Sequence, residues 1–209
     1  MNAGPELGKL LHKIGNSGKM EISGVSTLAG GSINNVYLLE TTAGKRVLKV
    51  NTAADFPEMF EAEKTGLEIL GSYSSFTVPQ VLALGTSGNL SFLLLEHIEA
   101  GQRSEHFWTR FAEDLAGLHK NSDPAFGFPA SNYIGSLPQV NASTETASEF
   151  YITQRMEPQF RMAVAAGYEF PALQICLKNI AAEIPPEPPA LIHGDLWNGN
   201  YLISHQGLP

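Results

Sequence analysis

His193-Gly194-Asp195-Leu196-Trp197-Asn198-Gly199-Asn200 is the stretch that decides how this 209-residue chain is read. It follows a proline-rich bend (Pro185, Pro186, Pro188, Pro189) and a short apolar run, Ala190-Leu191-Ile192. It leads into a second apolar run, Tyr201-Leu202-Ile203. Both runs read as strands. In the loop between them, Asp195 and Asn200 stand five residues apart. That spacing suits phosphoryl transfer. The aspartate can accept the proton of an attacking hydroxyl, and the asparagine amide oxygen can reach a magnesium ion on nucleotide phosphates. A tight turn rich in Gly and Asn would use His193 and Asp195 only as local hydrogen-bonding groups, so the assignment depends on partner motifs upstream.

Three strand-like runs lie upstream: Ile22–Leu28, Val36–Thr41 and Lys45–Val50, the last two joined by Thr42-Ala43-Gly44. Gly30, Gly31 and Ser32 fall between the first and second. Without a Cβ, such a turn lets backbone N–H groups approach phosphate oxygens, although ordinary hairpins use the same residues. Lys49 sits in the apolar run Val47-Leu48-Lys49-Val50, where a charge is costly unless paired or turned to solvent on an edge strand. The protein-kinase pattern has H-R-D with an Asn five residues on and a lysine in a V-A-I-K strand, which puts Lys49 on the α- and β-phosphates. Such a lysine needs a helical glutamate. A helix beginning at Pro57, with Met59, Phe60, Ala62, Leu67, Ile69 and Leu70 as core positions, carries Glu58, Glu61, Glu63 and Glu68. Glu63, fourteen residues after Lys49 and mid-helix, is the expected partner, with Glu61 as the alternative.

Val78–Leu84 and Leu90–Leu95 read as two further strands, the second running into Glu96-His97-Ile98. A buried strand that ends in a polar connector suits a link between lobes, where backbone groups at 96–98 can pair with an adenine edge. Helices are expected over residues 5–15, from about Glu105 to Lys120, and over 145–166 and 171–183; residues 121–144 read as loop. His119 sits where a cation complements a helix C-terminus. Cys176, between Ile175 and Leu177, reads as a core thiol.

Charged content of 16% with 43% hydrophobic residues describes a globular chain, not a disordered one. A net charge of −8 argues against nucleic-acid or anionic-membrane partners. A single cysteine excludes an intrachain disulfide. Residues 1–10 lack a signal-peptide pattern, and no apolar run approaches the ~18 residues of a membrane span. The expectation is a cytoplasmic protein.

Together these motifs resemble the kinase-like phosphotransferases of small molecules, and most closely the fructosamine kinase (ketosamine 3-kinase) family. The resemblance rests on Gly30-Gly31-Ser32-Ile33-Asn34, Lys49, Glu63, Phe126-Gly127-Phe128, Asn132-Tyr133-Ile134-Gly135-Ser136, Pro138-Gln139, Asn141 and the 193–200 stretch. It implies an α+β, two-lobed protein-kinase-like fold, with an antiparallel-sheet nucleotide-binding lobe over residues 1–97 and a mainly helical, incomplete catalytic lobe over 98–209. It also implies transfer of the ATP γ-phosphoryl, with Mg2+, to the 3-hydroxyl of a ketosamine, free or protein-bound. The resulting 3-phosphate is unstable, so the free amine returns. By position, Asp195 is the base, Asn200 a magnesium ligand, and Lys49 a phosphate contact held by Glu63. Residues Glu96, His97 and Ile98 receive adenine, and Trp197 is a wall for the sugar or a lock on the loop. Ser32 stands where some relatives carry a cysteine, so no disulfide switch forms there. Relatives follow the loop with two strands and a D-P-A segment whose Asp binds magnesium. This sequence reaches Gly207-Leu208-Pro209 first, which implies a fragment or a truncated protein, weakened transfer and apolar surface left exposed. The alternatives are a kinase of an aminoglycoside, choline or a related alcohol, and a non-catalytic nucleotide-binding module.

Overall fold

The computed structural model describes residues 4–28 and 33–209. Gly30, Gly31 and Ser32 therefore lie outside the described residues. Contacts divide the chain into two compact units, Met1–Leu115 with His193–Pro209, and Ala116–Ile192.

The first unit is organised by a sheet of five antiparallel strands in the order β1-β2-β3-β5-β4. These are β1 (Ile22–Leu28), β2 (Asn35–Thr41), β3 (Gly44–Thr52), β4 (Val81–Ser87) and β5 (Leu90–Glu96). Gly44, at φ 94°, takes the left-handed backbone that closes the tight β2–β3 turn. Helix α1 (Pro5–Gly18) begins with proline in its first turn, where the missing N–H costs no hydrogen bond. It runs past the expected stop at Gly15 and ends at Lys19 in the left-handed region. Helix α2 (Met59–Tyr73) starts two residues later than Pro57.

Period-two alternation sorts the strand side chains. Leu48 and Val50 of β3, with Phe92 and Leu94 of β5, pack with Leu7, Leu10 and Ile14 of α1. Leu93 and Leu95 of β5 pack with Phe60 of α2, on the other side of the same strand. The central strands are apolar on both faces because each face carries a helix. Burying each such leucine stabilises the fold by about 1.5–3 kcal/mol relative to leaving it exposed.

Helix α3 (Phe107–His119) follows the connector, and the boundary between the units falls within it. Phe107, Trp108 and Phe111 gather around Tyr201, with ring centroids at 6.0, 6.1 and 5.2 Å. The Gly101 N–H donates to the Ile203 carbonyl at 2.8 Å, and a Cβ at Gly101 would lie 2.5 Å from the Ser204 oxygen. Only glycine permits that approach.

Neither apolar run flanking the 193–200 stretch is a strand, which corrects the sequence expectation. After the loop the backbone makes a single bridge, Ala100 to Ser204. Before it, Leu191 donates its N–H to Asn121, 2.8 Å away. A strand needs a neighbouring ladder, which an apolar run by itself does not supply.

In the second unit, the segment expected as loop contains a hairpin, β6 (Asn132–Ile134) and β7 (Leu137–Gln139), turning at Gly135 with φ 59°. Thr146 caps α4 (Ala147–Phe150) by accepting the Glu149 N–H at 3.1 Å. The helix continues through a π-helical turn at Tyr151–Met156 into α5 (Glu157–Ala165). In α6 (Leu173–Glu183), Leu177 is buried, but Cys176 is exposed and Ile175 is 67% exposed. The expectation of a core thiol is thereby overturned: 173, 177, 180 and 184 share one stripe, and neither 175 nor 176 lies on it. No helix among the described residues is long and apolar enough to cross a membrane.

Candidate active site

Lys49 of β3 points to the α2 face, opposite to Leu48 and Val50. There its Nζ meets Glu63 Oε1 at 2.5 Å, with the two side chains 28% and 23% exposed. The alternative, Glu61, is exposed on the same helix. Half-buried charges persist where they are paired, and this pair ties the strand to the helix.

Two residues further along β3, on the same face as Lys49, Asn51 is buried, at 4% exposure. Its amide donates to Asn34 Oδ1 at 3.1 Å, and its Oδ1 accepts the hydroxyl of Ser91. Sequence reasoning passed over Asn51. Its signal was a polar residue closing an apolar strand, two positions beyond Lys49.

The 193–200 loop is exposed and internally hydrogen-bonded. The Asn200 amide nitrogen donates to both the Asp195 carbonyl and Asp195 Oδ2, each at 2.7 Å. That leaves Asn200 Oδ1 and Asp195 Oδ1 as acceptors. The Asp195 N–H donates to His193 Nδ1 at 3.3 Å, and burial holds the His193 pKa below its ordinary value, partly opposed by the Asp195 charge. A neutral imidazole with its proton on Nε2 fits that bond. Trp197 is 57% exposed and lies over Gly199, where a Cβ would come within 2.5 Å of Cζ2. An aromatic face held at the surface is therefore built into the loop. Tyr201 anchors the loop's far end through the ring cluster described above.

At the end of β5, the Glu96 N–H donates to the Gln80 carbonyl at 2.9 Å. Beyond it, among the described residues, no backbone hydrogen bond engages the N–H or carbonyl of His97 or Ile98, both half-buried. The structure thus brings together Lys49 with Glu63, and Asp195 with Asn200 and His193. No hydrogen bond or ion pair among the described residues joins these two groups.

The comparisons with known proteins converge. The family model described as fructosamine kinase matches residues 9–209. The chain belongs to the fructosamine kinase family. It is 34% identical over 187 residues to a "probable ketoamine kinase" of Synechocystis sp., covering 88% of this chain and 63% of that relative. It is 36% identical over 200 residues to a chloroplastic protein-ribulosamine 3-kinase of Oryza sativa subsp. indica, covering 90% and 57%. This fructosamine kinase relative thus spans about three fifths of the length of those two proteins. A crystal structure from Thermobifida fusca, of a protein provisionally named fructosamine-3-kinase, superposes with a TM-score of 0.77 at 30% identity, covering 92% of this chain and 68% of that one. The expected fold class stands: α+β and protein-kinase-like, with an antiparallel sheet in its N-terminal part.

Proposed function

We propose that this chain provides the nucleotide site and catalytic loop of an ATP-dependent ketosamine 3-kinase acting in the cytoplasm. The observation that carries the reading is the Lys49–Glu63 ion pair. A charge pair placed between an apolar strand and its covering helix stabilises a fold little by itself, yet it aims an ammonium where phosphates would be gripped. Names borne by relatives, ketoamine kinase and protein-ribulosamine 3-kinase, support a sugar ketoamine as acceptor. The lobes are taken as residues 1–97 and 98–209.

Lys49 would neutralise the α- and β-phosphates with Glu63 fixing its position, and Gly30, Gly31 and Ser32 would cover the phosphates. The unpaired backbone groups at His97 and Ile98, with Glu96 beside them, would meet the adenine edge. The donor set fits a hard cation: Asn200 Oδ1 is an oxygen ligand turned away from its own hydrogen bonds, suited to a Mg2+ that takes few protein ligands and several phosphate oxygens. When bound, that ion supplies charge neutralisation on the phosphates. Asp195 Oδ1 would accept the proton of the sugar 3-hydroxyl as its oxygen bonds the γ-phosphorus. The bond to the bridging oxygen breaks and ADP departs. The exposed face of Trp197 would stack on the sugar's C–H surface.

The test is phosphoryl transfer from ATP with Mg2+ to a synthetic fructosamine and a ribulosamine, with choline and kanamycin as competing acceptors, followed by 31P NMR. Ketosamine phosphorylation that falls about 10²–10⁴-fold in Asp195→Asn is expected. Transfer unchanged by that substitution, or confined to choline or kanamycin, overturns the proposal.

A further inference from the structure

Within the unit Ala116–Ile192 lies a cavity of about 320 Å3, at the lower end of the range for small-molecule sites. Thr153, Gln154 and Arg155 reach it from the π-helical turn, Gln159 and Arg161 from α5, and Gln139 from the end of β7. Its polar lining therefore offers three amides, a hydroxyl and two guanidinium groups, and no carboxylate among the described residues.

Arg155 is placed firmly. Its Nη1 donates to the carbonyls of Val140 at 3.0 Å and Gln154 at 2.9 Å, and its Nη2 donates to Asn141 Oδ1 at 2.6 Å. Its guanidinium lies 4.6 Å from the centre of the Phe150 ring. None of these partners is anionic, so the charge is held in place without being neutralised. Burial lowers its pKa, with no neighbouring charge opposing the shift. Asn141, 5% exposed, donates in turn to the Ala130 carbonyl and Asn132 Oδ1, at 2.9 and 3.0 Å. This network fixes the cavity's charged wall before any ligand arrives, which lowers the ordering cost of binding. Arg161, by contrast, is 68% exposed and only loosely paired with Glu157, at 3.5 Å. A π-helical turn is rare in helices and recurs at functional sites, and here it carries three of the lining residues.

We propose that this cavity binds a small polyhydroxylated anion, a sugar acid or a sugar phosphate, with Arg155 and Arg161 on its anionic group and the glutamine amides and Thr153 on its hydroxyls. Guanidinium groups pair with carboxylate or phosphate oxygens, and amides both donate to and accept from hydroxyls. The site needs neither nucleotide nor Asp195, so it stands apart from the kinase reading.

Isothermal titration of the full chain with gluconate, glucose 6-phosphate and the neutral polyol sorbitol tests it, in the absence of ATP. Saturable binding of at least one of the two anions is expected, with sorbitol binding about tenfold or more weakly. Comparing gluconate with glucose 6-phosphate tells the carboxylate source from the phosphate one. Arg161→Gln, at an exposed position, should leave the circular dichroism spectrum unchanged and weaken the anion about tenfold. Gln159→Ala should weaken gluconate while sparing inorganic phosphate, since it loses only a hydroxyl contact. Failure of both anions to saturate, equal binding of sorbitol, or an unchanged affinity in Arg161→Gln overturns the proposal.

Discussion

The unit built on the sheet and the unit Ala116–Ile192 are held together by different means. In the first, Leu10, Leu39, Leu48, Phe60 and Leu93 are essentially inaccessible, filling both faces of one sheet. In the second, Leu118 and Leu177 are the buried apolar side chains among the described residues, while Val164, Tyr168 and Ile175 are more than half exposed. What the second unit buries with full satisfaction is polar: Asn141, bound to Arg155, Asn132 and Ala130. A sheet with a helix on each face buries two rows of side chains per strand, whereas a helix with one covered stripe buries one. Order in the second unit therefore leans on specific hydrogen bonds, which are costly when half broken.

That difference makes quantitative claims. Leu93→Ala should lower the unfolding free energy by about 2–5 kcal/mol, read from urea denaturation, because it opens a cavity between sheet and helix. Ile175→Ala in the second unit should change it by no more than about 0.5 kcal/mol. Equal losses at the two positions would erase the contrast. Asn141→Ala comes next, at about 1–3 kcal/mol, since it strands the Arg155 donors in a partly buried place. The sharper readout is local: amide exchange should quicken at residues 130–141 and 150–156 while the sheet stays protected. Uniform loosening of both units would show that the polar network is not what orders the second one.

Glu63→Gln tests the half-buried ion pair between β3 and α2. Its stability effect should be small, about 1 kcal/mol or less at this exposure. Affinity for a fluorescent ATP analogue should fall about tenfold, because an unheld lysine loses its aim. A large stability loss with unchanged nucleotide affinity would recast the pair as structural.

The smallest effect concerns pH. The His193 pKa lies below its ordinary value in the fold, so the unfolded chain binds that proton more readily. The contribution is fully present above the unfolded value of about 6.5 and is lost as pH falls through the folded value. Protonation also removes the acceptor of the Asp195 N–H. Urea midpoints of the parent chain should drop between pH 7.5 and 5 by more than those of His193→Asn. Parallel pH profiles would contradict this account.

Much of the sheet could be read directly. The run Phe92–Leu95 is apolar without alternation because both of its faces are covered, and β3 shows its phase around Lys49. A mid-helix position, away from the acids of the first turn, singled out Glu63 over Glu61, and the five-residue interval placed Asn200 against Asp195. The readings that failed depended on partners far along the chain. Ala190–Ile192 and Tyr201–Ile203 are apolar enough for strands but have no ladder beside them. Cys176 sits among apolar neighbours in sequence, yet its angle on α6 turns it outward.

The sequence by itself determined the strand order's raw material, the faces of α1 and α2, the family and the spacing of the loop's polar groups. All of these are written in periods of two or 3.6 residues, or in intervals of a few positions. Only the tertiary structure decided that Asn51 is buried between Asn34 and Ser91, that Tyr201 anchors the loop among Phe107, Trp108 and Phe111, and that Arg155 stands uncompensated on a cavity wall. Burial and pairing of a polar group are set by whatever packs against it from distant positions, and no local period encodes them.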